Sequence, residues 1–92
     1  MSTIKQGKNK FYIGENEASP QAEIGFTQGE GINLIIDHTF VSDELRGQGI
    51  AGKLVDRMVN YAREEGKKII PECTYAKSKI EKTPEYHDVM AN

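Results

Sequence analysis

Val41-Ser42-Asp43-Glu44-Leu45-Arg46-Gly47-Gln48-Gly49-Ile50-Ala51-Gly52 joins an apolar, β-branched run to a segment with helical spacing, and the reading of this junction decides the fold. Three glycines lie close together here, beside Arg46 and Lys53. Glycines let the backbone approach a ligand, the first N–H groups of a helix have no intrahelical partner, and the helix dipole favours negative charge there. A glycine-rich loop feeding a helix is therefore a physical device for holding an anion. The amides expected to serve are those of Gln48, Gly49, Ile50, Ala51 and Gly52, and Gly47 belongs to the same binding loop. The competing reading is a tight strand-to-helix turn in which the glycines serve packing alone. Arg46 either contacts the anion through its side chain or orders the loop.

On the N-terminal side of this junction the pattern has a period of two. Met1 to Asn9 is polar and reads as a frayed end or a short edge strand. Lys10 to Gly14 reads as the first clear strand, and Glu15 to Pro20 as a turn. Gln21 to Thr27 alternates, with Ala22, Ile24 and Phe26 on one face. Gln28-Gly29-Glu30-Gly31 is a hairpin connection. Ile32 to Val41 then places Ile32, Leu34, Ile36, His38 and Phe40 on one face and Ile35 and Val41 on the other. That pattern predicts a central strand covered on both sides.

On the C-terminal side the period changes to that of a helix. Ile50, Leu54, Met58 and Tyr61, flanked by Ala51, Val55 and Ala62, make one apolar stripe, and Gly66 suits the C-terminal cap. Lys68 to Cys73 returns as a strand, so the helix is a β-α-β crossover, expected to be right-handed and parallel. Pro71 has no N–H to give a ladder, which predicts an edge or a place where strands part. Thr74 to Glu81 reads as a short second helix. The remaining tail is expected to dock through Tyr86 and Val89. The fold class is therefore α/β, a mixed and mostly antiparallel sheet with one crossover helix and a short C-terminal helix.

Ninety-two residues fit one domain, residues 1–92, near the size at which a single core suffices. With 28% charged residues and a net charge of −2, bulk binding to nucleic acid or an acidic membrane is disfavoured, so any anion site is local. No stretch is apolar enough to span a bilayer, and Ser2-Thr3-Ile4-Lys5-Gln6 carries no export core. A single cysteine forms no internal disulfide, which fits a reducing cytoplasm.

The loop resembles the cofactor loop of the GCN5-related N-acetyltransferases, whose pattern Gln/Arg-x-x-Gly-x-Gly/Ala is met by Arg46-Gly47-Gln48-Gly49-Ile50-Ala51. With His38-Thr39-Phe40-Val41 before it and Pro84-Glu85-Tyr86 after it, the chain from the third strand onward resembles the small, truncated branch of that family. The resemblance implies an acyl-CoA N-acyltransferase-like fold, acetyl-CoA as the bound cofactor, and transfer of its acetyl group to an amine. It implies that the loop amides hold the pyrophosphate and that backbone groups of Phe40 and Val41 pair with the amide-bearing arm of coenzyme A. Lys53 and Arg57 are candidates for the 3′-phosphate, or are simply solvated. Tyr75, just after the crossover strand, stands where such enzymes place a tyrosine that protonates the departing thiolate; Tyr86 is a weaker candidate for that role.

Two further side chains carry chemistry of their own. Cys73 ends the crossover strand at a helix N-terminus, where a thiol pKa falls, so it could accept an acetyl group and pass it on. It could equally fill the core as a small apolar residue. His38 is a candidate base, or a hydrogen-bonded structural histidine. Glu44 reads first as a solvated turn residue and otherwise as a base. Two histidines and one cysteine are too scattered for a metal set, so no metal is expected. Full-sized members of the resembling family carry extra elements around the acceptor, whereas this chain stops soon after its second helix. Either the acceptor site is open, suiting a large or protein amine, or a protein partner completes it, or no amine is acetylated at all; the acceptor itself, a small amine or a protein, stays unidentified. The alternative function is a non-catalytic acyl-CoA-binding, sensing or interaction module.

Overall fold

The computed structural model describes residues 3–91. Strands β1 (Lys5–Gly7), β2 (Lys10–Ile13), β3 (Ala22–Gln28) and β4 (Asn33–Val41) pair antiparallel in chain order. Helix α1 (Ile50–Glu65) then crosses back, and β5 (Lys68–Pro71) joins β4 in parallel. Helix α2 (Thr74–Glu81) and a 3-10 segment (Pro84–Val89) complete the chain. The result is the mixed, mostly antiparallel sheet expected from the sequence, five strands in the order β1-β2-β3-β4-β5. The polar N-terminal stretch resolves into the edge strand β1; Met1 and Ser2 lie outside the described residues.

Among the described residues, the buried side chains form one cluster between a single face of the sheet and the two helices. Phe11, Ile24 and Ile36 of the sheet meet Leu54, Met58 and Ala62 of α1 and Ile80 of α2, all fully buried. Tyr61 packs from the rim, its ring 5.3 Å from that of Phe11 and 5.7 Å from that of Phe26. Among the described residues the opposite face of the sheet carries no helix, which corrects the expectation that β4 is covered on both sides. Ile35 is only half-buried, and Asp37, His38 and Phe40 are exposed.

A β-bulge causes the second correction. Gly25 pairs with His38 but the next residue, Phe26, pairs with Ile36, so Asp37 is the extra residue of β4. One inserted residue reverses the alternation. Leu34 and Ile36 point into the core before the bulge; Thr39 and Val41 stand inward after it, opposite buried Ile24 and Ala22. His38 and Phe40, expected on the core face, are sent to the open one. There the His38 ring lies over Gly25, where a Cβ would collide with it. A side chain at 25 would therefore push the His38 ring out of this position.

The tail docks as the sequence suggests. Tyr86 and Val89 are buried, Ala91 N–H donates to Ile69 O at 3.0 Å, and Arg63 pairs with Asp88 at 2.8 Å. Tyr86 Oη donates to Asp56 Oδ1 at 2.9 Å. Burial, reinforced by this hydrogen bond to a carboxylate, pushes the phenol from 10.0 up to about 12. A raised folded pKa stabilises fully below the unfolded value, and the contribution disappears as pH climbs toward the folded one. Unfolding free energy should therefore fall between pH 10 and about 12 as the tail's anchor ionises. Tyr86→Phe should lower stability by about 1 kcal/mol at pH 8, the usual net worth of such a bond, and flatten the alkaline decline. Urea denaturation at pH 8 and pH 11 measures both; equal slopes for the two proteins would exclude the Tyr86–Asp56 bond as the cause.

Candidate functional site

The loop between β4 and α1 is built for its glycines. Gly47 and Gly49 have φ of 84° and 72°, in the left-handed region that side chains with a Cβ rarely adopt, and a Cβ at either position would meet nothing. Backbone conformation, not crowding, is the reason for glycine at both. Gly49 is the N-cap of α1, and the first intrahelical bond runs from Lys53 N–H to Gly49 O at 3.1 Å. The amides of Ile50, Ala51 and Gly52 precede it, no side chain caps them, and no acidic residue occupies the first turn. They open onto a cavity of about 410 Å³ whose walls include Thr39 and Val41 of β4, Gly47, Gly49 and Gly52, and Tyr75 of α2.

The side chains of the loop hold it rather than reach outward. Arg46 Nε donates to Val41 O at 3.5 Å and its guanidinium stands 3.3 Å from Asp43, a pair 70% and 92% exposed that contributes little energy but restrains the turn. Gln48 Nε2 donates to Glu44 O at 3.3 Å. Of the helix cations, Arg57 lies over the Phe11 ring, 4.6 Å from its centroid, on the β2 side and engaged there. Lys53 is exposed.

Strand β5 leaves β4 where Pro71 predicts it. The last pair is Ile36–Pro71, and Ile36 O then accepts N–H groups from both Glu72 and Cys73, at 3.1 and 3.2 Å. Beyond that point β4 continues to Val41 with an open edge. Ser42 N–H donates to Gln21 O, so alternation along the ladder turns Phe40 toward Glu23 of β3 and leaves the backbone groups of Thr39 and Val41 facing the opening. The backbone pair expected at Phe40 and Val41 is therefore shifted to Thr39 and Val41.

Strand β5 also ends earlier than expected, at Pro71, and Cys73 is the N-cap of α2. Its half-buried sulfur lies 3.5 Å from Thr39 Oγ1. Burial alone would push this thiol up. The Thr39 hydroxyl, followed by the amides of Ala76, Tyr75 and Thr39, outweighs burial and holds it below its ordinary value, although no regular N-cap hydrogen bond closes. Tyr75 is 43% exposed and its hydroxyl stands over Gly52, beside Lys79. Thr39 thus touches the Cys73 sulfur and, together with Tyr75, lines the cavity at the strand opening.

His38 does not join them. On the far face its Nε2 stands 2.6 Å from Glu23 Oε2, and Lys10 Nζ donates to Glu23 Oε1 at 3.0 Å. Burial would raise the Glu23 carboxyl, but these two partners outweigh it and hold it low. A Cys73–His38 pair is excluded by the bulge. Thr39 escaped the sequence reading for the same reason. The signal that could have found it is Asp37, a charge within an apolar strand. A larger hollow of about 690 Å³ lies apart from these residues, lined among others by Lys5, Ile13 and Gln21.

The profile of a family described as GCN5-related N-acetyl-transferase matches residues 10–89. The solution structure of a GCN5-like candidate N-acetyltransferase from Staphylococcus aureus is 48% identical, covering 98% of this chain and 88% of that one, with a TM-score of 0.83. A crystal structure of a GNAT-family acetyltransferase from Staphylococcus aureus Mu50 is 19% identical with a TM-score of 0.57, over 67% of this chain and 40% of that one, a likeness of fold alone. No curated protein matches the chain.

Proposed function

Since this chain belongs to the GCN5-related N-acetyltransferase family, we propose that it binds acetyl-CoA in the cavity at the N-terminus of α1 and transfers the acetyl group to an amine. The observation that carries this reading is the joint opening, onto one cavity, of uncapped helix amides and the β4 edge that β5 has left. The amides of Ile50, Ala51 and Gly52 suit the pyrophosphate, and the edge groups of Thr39 and Val41 suit the amide-bearing arm. Coenzyme A supplies the activated thioester; the chain supplies position and charge.

Two routes fit this site. In the direct one an amine attacks the thioester carbonyl, and Tyr75 at the cavity wall gives a proton to the leaving sulfur. In the covalent one Cys73 takes the acetyl group first and the amine removes it from there. The Thr39 contact and the lowered thiol favour the covalent route. A reducing compartment such as the cytoplasm would keep that thiol free. The acceptor is an amine on a small molecule or a protein, and the exposed rim of the opening leaves room for a partner to complete its site.

Titrating acetyl-CoA into the labelled protein and following amide shifts tests the reading. Shifts should centre on residues 46–52 with Thr39 and Val41, and intact mass should then show one added acetyl group. Shifts without transfer to any amine or to protein would leave a non-catalytic acyl-CoA-binding module. A silent loop would sink the reading altogether.

A further inference from the structure

The bulge at Asp37 relocates His38 and, by the same reversal, turns Thr39 to the side on which Cys73 lies. Thr39 and Cys73 are 34 residues apart in sequence, yet the hydroxyl reaches the sulfur at 3.5 Å, and the same residue forms a wall of the cavity. A wall needing only shape would be served by valine, which has the same branching and leaves no hydroxyl to satisfy. Threonine adds one rotatable O–H, which can accept from a thiol and donate to a thiolate. We propose that Thr39 is the positioning residue of the acyl-accepting thiol, its hydroxyl fixing the Cys73 sulfur beside the cavity wall that Thr39 forms, in both protonation states.

This inference rests on the covalent reading above. In the resting state the Cys73 S–H donates to Thr39 Oγ1. When the proton leaves, the hydroxyl turns and donates to the sulfur. Cys73 Sγ then bonds to the carbonyl carbon of acetyl-CoA, the original carbon–sulfur bond breaks, and the departing thiolate takes up one proton to replace the one Cys73 released. Nothing is oxidised or reduced. An amine next bonds to the same carbon, loses a proton to solvent, and returns Cys73 to the thiolate held by Thr39. The titratable groups around this end of the cavity are Tyr75 and Lys79 of α2, Arg46 of the loop, exposed Lys53 of α1 and exposed Glu72 beside Cys73, whereas β4 contributes the neutral Thr39 and Val41.

The test compares wild type, Thr39→Val and Thr39→Ser in two assays. One is the pH profile of Cys73 alkylation by iodoacetamide without acetyl-CoA; the other is the acetyl adduct by intact mass with it. Thr39→Val preserves shape, so it should fold, move the alkylation midpoint to higher pH, and slow the reaction at pH 7 about three- to tenfold. Adduct formation should slow at least as much, and Thr39→Ser should restore both to within about twofold. A Thr39→Val profile that superimposes on wild type overturns the proposal. A wild type that shows the threonine effect on alkylation but no adduct overturns the acyl-accepting role and the covalent reading, while leaving the hydroxyl–sulfur contact in place.

Discussion

Replacing Gly52 by aspartate should weaken acetyl-CoA binding at least a hundredfold while making the protein more stable. Gly52 lies in the first turn of α1, and a Cβ there meets only ordinary contacts, Lys79 Cε at 3.6 Å and the Tyr75 hydroxyl at 3.7 Å. The side chain therefore fits. Because helical side chains lean toward the N-terminus, the carboxylate would stand among the free amides of Ile50 and Ala51. There it interacts favourably with the helix dipole, contributing about 0.3–1 kcal/mol, and removal of glycine's backbone freedom from a helix adds to that. The same carboxylate occupies the place intended for pyrophosphate, and like charges brought together in a binding site cost several kcal/mol. Opposite signs for stability and affinity are the signature. Gly52→Ala is the control, more stable than wild type with affinity nearly kept. Thermal unfolding and calorimetric titration read both quantities. An aspartate variant that binds as tightly as wild type would remove the phosphate from the end of α1.

The second large effect separates the two routes of transfer. Cys73→Ala should leave acetyl-CoA affinity within about twofold, since the α1 amides and the β4 edge do the holding. It should eliminate the acetylated protein and, if transfer passes through sulfur, reduce acetylation of an amine by about a thousandfold or more, since loss of a nucleophile removes a whole step. Tyr75→Phe then gives the complementary result. On the covalent route it slows acetylation of Cys73 only modestly. On the direct route it removes the proton donor and lowers the rate by about a hundredfold, the usual worth of a positioned acid. Amine acetylation by Cys73→Ala at the wild-type rate would leave the direct route standing alone. Single-turnover assays with each variant keep binding and chemistry apart.

Sequence by itself determined the order of elements, the crossover, and the loop. These depend on local chemistry: period two before Val41, period near four after Gly49, glycines at φ above zero, and a proline unable to continue a ladder. The inward positions of Leu34 and Ile36 also follow from alternation, whereas apolar Ile35 wrongly suggested a second covered face. What also failed was everything beyond Ile36 on β4, because a single extra residue, Asp37, reverses which side chains face in. Whether a strand accommodates a bulge depends on its neighbour: Gly25 supplies the hollow for the His38 ring, and Glu23 and Lys10 hold it on the far face. None of that is local to β4. The tertiary structure alone therefore decided that Thr39, not His38, stands by Cys73, that the open backbone edge falls at Thr39 and Val41, and that Arg57 rests on Phe11. Periodicity fixes the face of a residue only while the count along the strand is unbroken, and the break is written in the partner strand.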